Sequence, residues 1–302
     1  MKALVICGAT ATGKTALAVE CAKRLQTEIV SADSMLVYKG CDIGSAKPDE
    51  TEKRGVIHHL IDVAEPTDAF SVSDYERLAL PIVERLFLEG KTPVICGGTG
   101  LYINALLYKS AFGNAGANAE IRAYYERIEK ERGRAYLHGL LNEKDPESAK
   151  ILHENDVKRV IRALEIFDIT GKKKSEQNDL PVPRFDFLSV CIDFPREELY
   201  ERINRRVDIM FENGLKEEVE SLLSRGVSLS SQCLKQGIGY KEIAVGLREG
   251  KSYGEIKEEI KKNTRNYAKR QITFFKRMQN AVFLPKEEAT ADKVLELLCQ
   301  TK

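Results

Sequence analysis

Short apolar runs alternate with amphipathic stretches over the first hundred residues. Ala3-Leu4-Val5-Ile6-Cys7 is uninterrupted and too short for a buried helix, so it reads as a buried strand. A helical stretch runs from Lys14 to about Leu25, and Glu28-Ile29-Val30 follows as a second strand. Helical spacing returns from about Ser73 to Glu89, where Leu78, Ile82 and Leu86 recur every fourth residue. Thr92-Pro93-Val94-Ile95-Cys96 is a third strand, and Leu188-Ser189-Val190-Cys191-Ile192 a fourth. Strands alternating with helices predict an α/β fold, a parallel sheet covered by helices on both faces. Ligands of such sheets collect beyond the carboxyl ends of the strands. Three polar clusters fall there: Thr10 to Thr15, Ser31 to Ser34, and Gly97 to Gly100.

The pattern changes between about Phe112 and Arg184. The stretch opens with Gly113 and Gly116, closes with Gly171, Pro181 and Pro183, and holds only helix-like segments between. One of them, Asp156 to Ile169, gathers Val157, Val160, Ile161, Leu164 and Phe167 on one face. The expected organisation is a core of residues 1–111 and 185–302 with a helical insertion domain at 112–184. From Arg196 onward the chain reads as mostly helical. It contains no internal repeat.

Composition narrows the class. A chain of 302 residues, 43% hydrophobic and 31% charged, suits one large globular domain or a core plus a smaller one. Net charge is +1, so any polyanion contact must come from local clusters. No apolar stretch approaches the roughly 18 residues of a membrane span. The few residues before the first glycine are too short for a signal peptide. Seven scattered cysteines form no C-x-x-C pair, so neither a zinc site nor a disulfide framework is expected. A reducing cytoplasm, no membrane partner and a monomer are the expectations.

The chemistry begins directly after the first strand. Gly8-Ala9-Thr10-Ala11-Thr12-Gly13-Lys14-Thr15 matches G-x-x-x-x-G-K-[ST] in full, with strand before and helix after. Its glycines let successive backbone N–H groups converge on one anion, and the positive end of the following helix adds to that field. Lys14 would bring a full charge to the phosphates, and Thr15 a hydroxyl to Mg²⁺. Asp33, just past the second strand, could act as a base or approach a metal through water; it could equally cap the next turn. Gly97-Gly98-Thr99-Gly100 could be a second anion cradle or simply a strand-to-helix turn. His58 and His59 are adjacent and so do not share a face, which favours structural roles over metal binding. Basic residues cluster at Lys158, Arg159 and Arg162, at Arg202, Arg205 and Arg206, and between Lys257 and Arg277. In the last run Lys262, Arg265, Lys269 and Lys276 fall on one helical face, interleaved with Tyr267, Phe274 and Phe275. That mixture suits a phosphate backbone and stacked bases, although a solvated helix face has the same signature.

Together these pieces resemble the tRNA dimethylallyltransferase (isopentenyltransferase) family over nearly the whole chain. The likeness rests on the loop Gly8 to Thr15, Ser31-Ala32-Asp33-Ser34-Met35, Asp42-Ile43-Gly44, His58-His59-Leu60-Ile61-Asp62 and Gly97-Gly98-Thr99-Gly100-Leu101-Tyr102. It continues through Arg162-Ala163-Leu164-Glu165, Gly237-Ile238-Gly239-Tyr240-Lys241-Glu242 and Tyr267-Ala268-Lys269-Arg270-Gln271. The resemblance implies transfer of a dimethylallyl group from dimethylallyl diphosphate to the N6 amine of the adenosine beside the tRNA anticodon. By the same resemblance Asp33 is the base. Lys14, Thr15 with Mg²⁺, Thr99 and Arg206 attend the departing diphosphate, and the loop Gly8, Ala9, Thr10, Ala11, Thr12, Gly13, Lys14, Thr15 binds it. Contacts to the tRNA anticodon stem-loop carry over to Asp33, Ser34, Met35, Leu36, Thr99 and Arg122. Further contacts carry over to Lys158, Arg159, Val160, Ile161 and Arg162, and to Gln236, Gly237, Ile238, Gly239, Tyr240 and Lys241. The last group is Lys269, Arg270, Gln271, Ile272, Thr273, Phe274, Phe275 and Lys276.

Several positions depart from the family pattern. Leu36 stands in place of Gln, Ala9, Ile57 and Glu154 in place of Pro, and Phe274 in place of Trp. Three rivals share parts of the signal. A small-molecule kinase has the loop and the carboxylate but needs no basic C-terminal helix. A transferase acting on free AMP needs no RNA-binding insertion. An RNA-binding module with a degenerate loop would not keep Lys14, Thr15 and Asp33.

Overall fold

The structure, a computed structural model, describes residues 2–109, 118–176, 182–278 and 280–300. The expected entry to the insertion, with Gly113 and Gly116, and Pro181 at its exit lie outside these residues. The chain divides into two compact units, Met1–Leu107 with Arg184–Lys302, and Tyr108–Pro183. These limits start the insertion somewhat before the expected 111/112 boundary.

The first unit opens with β1 (Lys2–Cys7), α1 (Lys14–Arg24), β2 (Ile29–Ser31), α2 (Glu50–Lys53), β3 (His58–His59), α3 (Val72–Leu88), β4 (Val94–Gly97) and α4 (Gly100–Leu107). The second unit holds β5 (Tyr108–Lys109), α5 (Ala119–Arg132), α6 (Arg134–Lys144), α7 (Pro146–Ile151), α8 (Val157–Thr170), a 3₁₀ turn and β6 (Val182–Pro183). The first unit then resumes with β7 (Asp186–Asp193), α9 (Arg196–Glu212), α10 (Leu215–Ser224), α11 (Gln232–Gln236), α12 (Tyr240–Glu249), α13 (Tyr253–Lys276), β8 (Ala281–Pro285) and α14 (Ala291–Gln300).

Six strands form one parallel sheet in the order β3-β2-β4-β1-β7-β8. β1 lies inside it, hydrogen-bonded to β4 and β7, which is why its residues from Ala3 to Cys7 are apolar without alternation. On one face Leu17, Val19 and Cys21 of α1 pack with Leu4, Ile6, Val190, Leu284 and Val294. The four strands expected from apolar runs are present. β3 and β8 escaped notice: β3 is two histidines long, and β8 follows a long helical stretch. Helix starts are well marked, with capping boxes at Ser71/Asp74 for α3 and Ser252/Glu255 for α13.

The second unit has its own core, in which Tyr125, Leu137 and Leu141 meet Val160, Ile161 and Leu164 of α8. It is helical as expected, but its ends are joined by a short antiparallel ladder, Tyr108 to Pro183 and Lys109 to Val182. At its centre Glu165 is fully buried. Its carboxylate accepts from Arg122 Nε at 2.8 Å and Nη2 at 3.0 Å, from Arg162 Nη1 at 2.6 Å and from the Asn118 N–H at 2.8 Å. Burial pushes this carboxyl up, but those four donors outweigh it and hold it below the usual range.

Candidate active site at the carboxyl edge of the sheet

The turn from β1 into α1 takes a conformation only its sequence allows. Gly8 and Gly13 lie at φ +134° and +82°, and Ala11 also takes a left-handed φ of 64°. Thr12 Oγ1 donates to Ala9 O at 2.9 Å and Lys14 Nζ to the same carbonyl at 2.6 Å, so the loop is braced from inside. Arg202 Nε of α9 donates to Ala11 O at 2.8 Å. The Thr10 N–H donates to Gln271 Oε1 of α13 at 2.9 Å. Burial lowers the pKa of Lys14, and burial likewise lowers that of Arg206, with Asp33 opposing both shifts. An anion between them would relieve both.

Asp33 sits just beyond β2. Its Oδ1 accepts from the Met35 N–H at 2.9 Å, so the capping alternative is realised as a local turn while the carboxylate still faces cavities on both sides. The Ser34 N–H donates to Thr99 Oγ1 at 2.9 Å, and the Thr99 N–H donates to Ala32 O at 3.0 Å. Thr99 therefore laces the loop after β4 to the loop carrying Asp33. The glycines around it are explained by packing: a Cβ on Gly97 would lie 2.1 Å from Ala32 O, on Gly98 2.3 Å from Gln271 Nε2, and on Gly100 2.1 Å from a Phe274 ring carbon. The segment forms a strand-to-helix turn packed closely against Ala32, Gln271 and Phe274.

Three cavities of the first unit converge here. A chamber of about 790 Å³ lies against the phosphate loop and is walled by Lys14, Thr15, Lys47, Arg202, Arg205 and Arg206. A second, of about 240 Å³, is lined by Asp33, Ser34, Met35, Gln236, Tyr267 and Arg270. Between them a cavity of about 90 Å³ is bounded by Lys14, Thr15, Asp33, Leu36, His58 and Arg206. Arg206 lines all three, Lys14 and Thr15 the first and last, and Asp33 the second and last. The arrangement offers an anion site on one side of Asp33 and a recess for a flat polar group on the other.

Sequence reasoning gave no site role to three members of this neighbourhood. His58, read as structural, is anchored by Nδ1 to Val56 O at 2.9 Å, while its Nε2 is buried without a hydrogen-bond partner. Its neighbour His59 is structural, bonded through Nε2 to Glu28 at 2.6 Å. Lys47 Nζ donates to Tyr38 O at 3.0 Å and to Asp42 at 2.5 Å, shaping the wall of the large chamber. Glu218 accepts from the N–H groups of Asp42, Ile43 and Gly44 at 2.9, 2.8 and 3.1 Å and from Tyr240 Oη at 2.6 Å. The Glu218 bonds to residues 42–44 and the His59–Glu28 pair have no local sequence signal, because each joins residues distant along the chain.

The segments expected to meet RNA divide by face. Gln236, Lys241, Lys269, Arg270, Thr273 and Lys276 are exposed, and Ile238, Ile272 and Phe274 half-buried. Tyr240 and Phe275 are core residues, Gly237 and Gly239 are enclosed, and Gln271 is buried between two loops. In the second unit Lys158 and Arg159 are exposed, Val160 and Ile161 belong to the core, and Arg122 and Arg162 are held on Glu165. Arg265, expected beside Lys269, turns its Nη1 to Asn204 Oδ1 at 2.6 Å.

Among the described residues no group of three or more His, Cys, Asp or Glu could hold a metal. Thr15 lines the large chamber, and a hydroxyl there is an oxygen donor that would suit Mg²⁺ together with phosphate oxygens and water.

Known proteins resemble this chain in sequence and fold over most of their length. The family model described as IPP transferase matches residues 36–278. A tRNA dimethylallyltransferase of Acetivibrio thermocellus is 47% identical over 293 residues, covering 96% of this chain and 93% of its own. One from Shouchella clausii is 46% identical over 289 residues, covering 95% and 92%. Among solved structures, the tRNA isopentenylpyrophosphate transferase of Bacillus halodurans is 39% identical with a TM-score of 0.73, covering 98% of this chain and 94% of its own. A eukaryotic dimethylallyltransferase acting on tRNA aligns with a TM-score of 0.81 at 28% identity, covering 96% of this chain and 74% of its own. With its model matched over most of the chain and relatives alike along nearly their full length, this chain belongs to the IPP transferase family.

Proposed function

We propose that the chain is a tRNA dimethylallyltransferase that moves the dimethylallyl group of dimethylallyl diphosphate to the N6 amine of the adenosine beside the anticodon, releasing diphosphate. The observation that carries this reading is the placement of Asp33, shared by the recess on one side and the cavity behind the phosphate loop on the other. The adenine amine is a poor nucleophile because its lone pair is delocalised into the ring. As N6 bonds to the allylic carbon, the carbon–oxygen bond to diphosphate breaks and the N6 proton passes to the Asp33 carboxylate. Negative charge gathers on the leaving oxygens, which face Lys14, Arg206 and the loop N–H groups. Mg²⁺, held by Thr15 and the diphosphate, would neutralise part of that charge. The phosphate loop thus holds a leaving group.

The exposed basic residues Lys158, Arg159, Lys241, Lys269, Arg270 and Lys276 supply contacts for the anticodon stem-loop. On this reading the enzyme works as a monomer in the cytoplasm, alongside its tRNA substrate. No described helix is long and apolar enough to cross a membrane. Incubating the protein and Mg²⁺ with labelled dimethylallyl diphosphate and either tRNA or AMP tests the proposal. Label should move to tRNA. Label on AMP alone, or phosphate transfer from ATP instead, would overturn it.

A further inference from the structure

Gln271 lies on α13 two residues from Lys269 and one from Arg270, both exposed, yet it is only 5% exposed itself. Its amide bridges two loops of the site. Oε1 accepts from the Thr10 N–H of the phosphate loop at 2.9 Å, and Nε2 donates to Gly98 O of the loop after β4 at 2.9 Å. Both ends of the side chain are used, and the fit is tight enough that a Cβ on Gly98 would fall 2.3 Å from Nε2. Tyr267, one helical turn earlier, lines the inner cavity beside it. An amide is the side chain that suits this place, since one partner is a donor and the other an acceptor.

We propose that Gln271 is a positioning residue for the diphosphate loop and makes no contact with RNA. It fixes the plane of the peptide that carries the Thr10 N–H, and with it the direction of the loop amides that follow. The inner face of α13 then sets donor-site geometry, while Lys269, Arg270 and Lys276 on its outer face meet the polyanion. The inference rests on the reading of this loop as the diphosphate site, and its test keeps the two apart.

Inorganic diphosphate with Mg²⁺ and, separately, an anticodon stem-loop RNA are titrated calorimetrically into the wild type and Gln271→Met. Loss of two buried hydrogen bonds should weaken diphosphate binding about tenfold or more. The RNA dissociation constant and its salt dependence should stay within about twofold, since no phosphate contact is lost. Amide hydrogen exchange at Thr10 should accelerate while that of Val5 and Ile6 in β1 is unchanged. Unaltered Thr10 exchange with unaltered diphosphate affinity, or RNA affinity falling while diphosphate affinity holds, would overturn the assignment. If Gln271→Met does not fold, Gln271→Glu retains an acceptor for Thr10 and should preserve its protection; loss of protection there would count against the contact. A wild type that binds no diphosphate would refute the reading of the loop itself.

Discussion

Asp33 separates two kinds of information carried by single residues. Its chemistry could be read directly: a carboxylate at the carboxyl end of a strand, beside a phosphate loop. Its second neighbourhood could not, because Tyr267, Gln236 and Arg270 reach it from α13 and α11. If it takes the N6 proton, Asp33→Asn should lower turnover by about 10²–10⁴-fold while tRNA still binds. Single-turnover transfer combined with filter binding would check both, and an unaltered rate would remove Asp33 from that role. Thr99 shows the same division. The resemblance assigned it to the departing diphosphate, and the structure adds a tie that spacing does not reveal: its Oγ1 accepts from the Ser34 N–H at 2.9 Å and links it to the Asp33 loop.

At the scale of elements, α13 and the glycine turn before α4 form one packed unit. Gly98 and Gly100 are small because Gln271 and Phe274 occupy the space a side chain would need. Gly100→Ala should therefore destabilise the protein by about 1–3 kcal/mol, the usual cost of overpacking a filled site. Denaturant unfolding measures it, and Phe274→Leu in the same chain should recover part of the loss by vacating the contact. An unchanged midpoint would mean that the turn tolerates a methyl group. The sequence marks this turn as glycine-rich but offers no way to tell an anion cradle from a close approach, because the approaching helix begins well over a hundred residues later. The same limit explains the basic stretches. Charge could be counted along α8 and α13, but which charges face solvent depends on the partners of each helix. Glu165, for instance, captures Arg122 and Arg162 from two helices.

For the first unit as a whole, one partly buried cluster couples its stability to pH. Arg85 donates to Glu28 at 2.6 Å, and His59 shares the same carboxylate, tying β3 and α3 to the start of β2. The Arg85 hydrogen bond, and then that of His59, overcome burial and bring the Glu28 pKa down to about 2 from 4.5. Because the folded-state value is depressed, this stabilisation is fully present above about pH 4.5 and is lost as pH falls towards about 2. Arg85 is well exposed, so solvent screening limits the contribution to about 1 kcal/mol. Glu28→Gln should lower the melting temperature at neutral pH and flatten its decline between pH 5 and pH 2. Parallel acid titrations of melting would reveal the difference, and curves of equal slope would exclude Glu28 as the source.

Local physics decided what the sequence alone determined: the parallel α/β core, four of its six strands, the glycine-rich turn between β1 and α1 and the helical nature of the insertion. Each depends on residues within a few positions of one another, through apolar runs, helical spacing and the conformational needs of Gly8 and Gly13. The tertiary structure decided the rest. It brought Arg206 to the cavity shared by Lys14, Thr15 and Asp33, buried Tyr240 against Glu218, and turned Gln271 inward among exposed cations. Those outcomes follow from packing between segments far apart in the chain, where a side chain's role is fixed by the partner it meets.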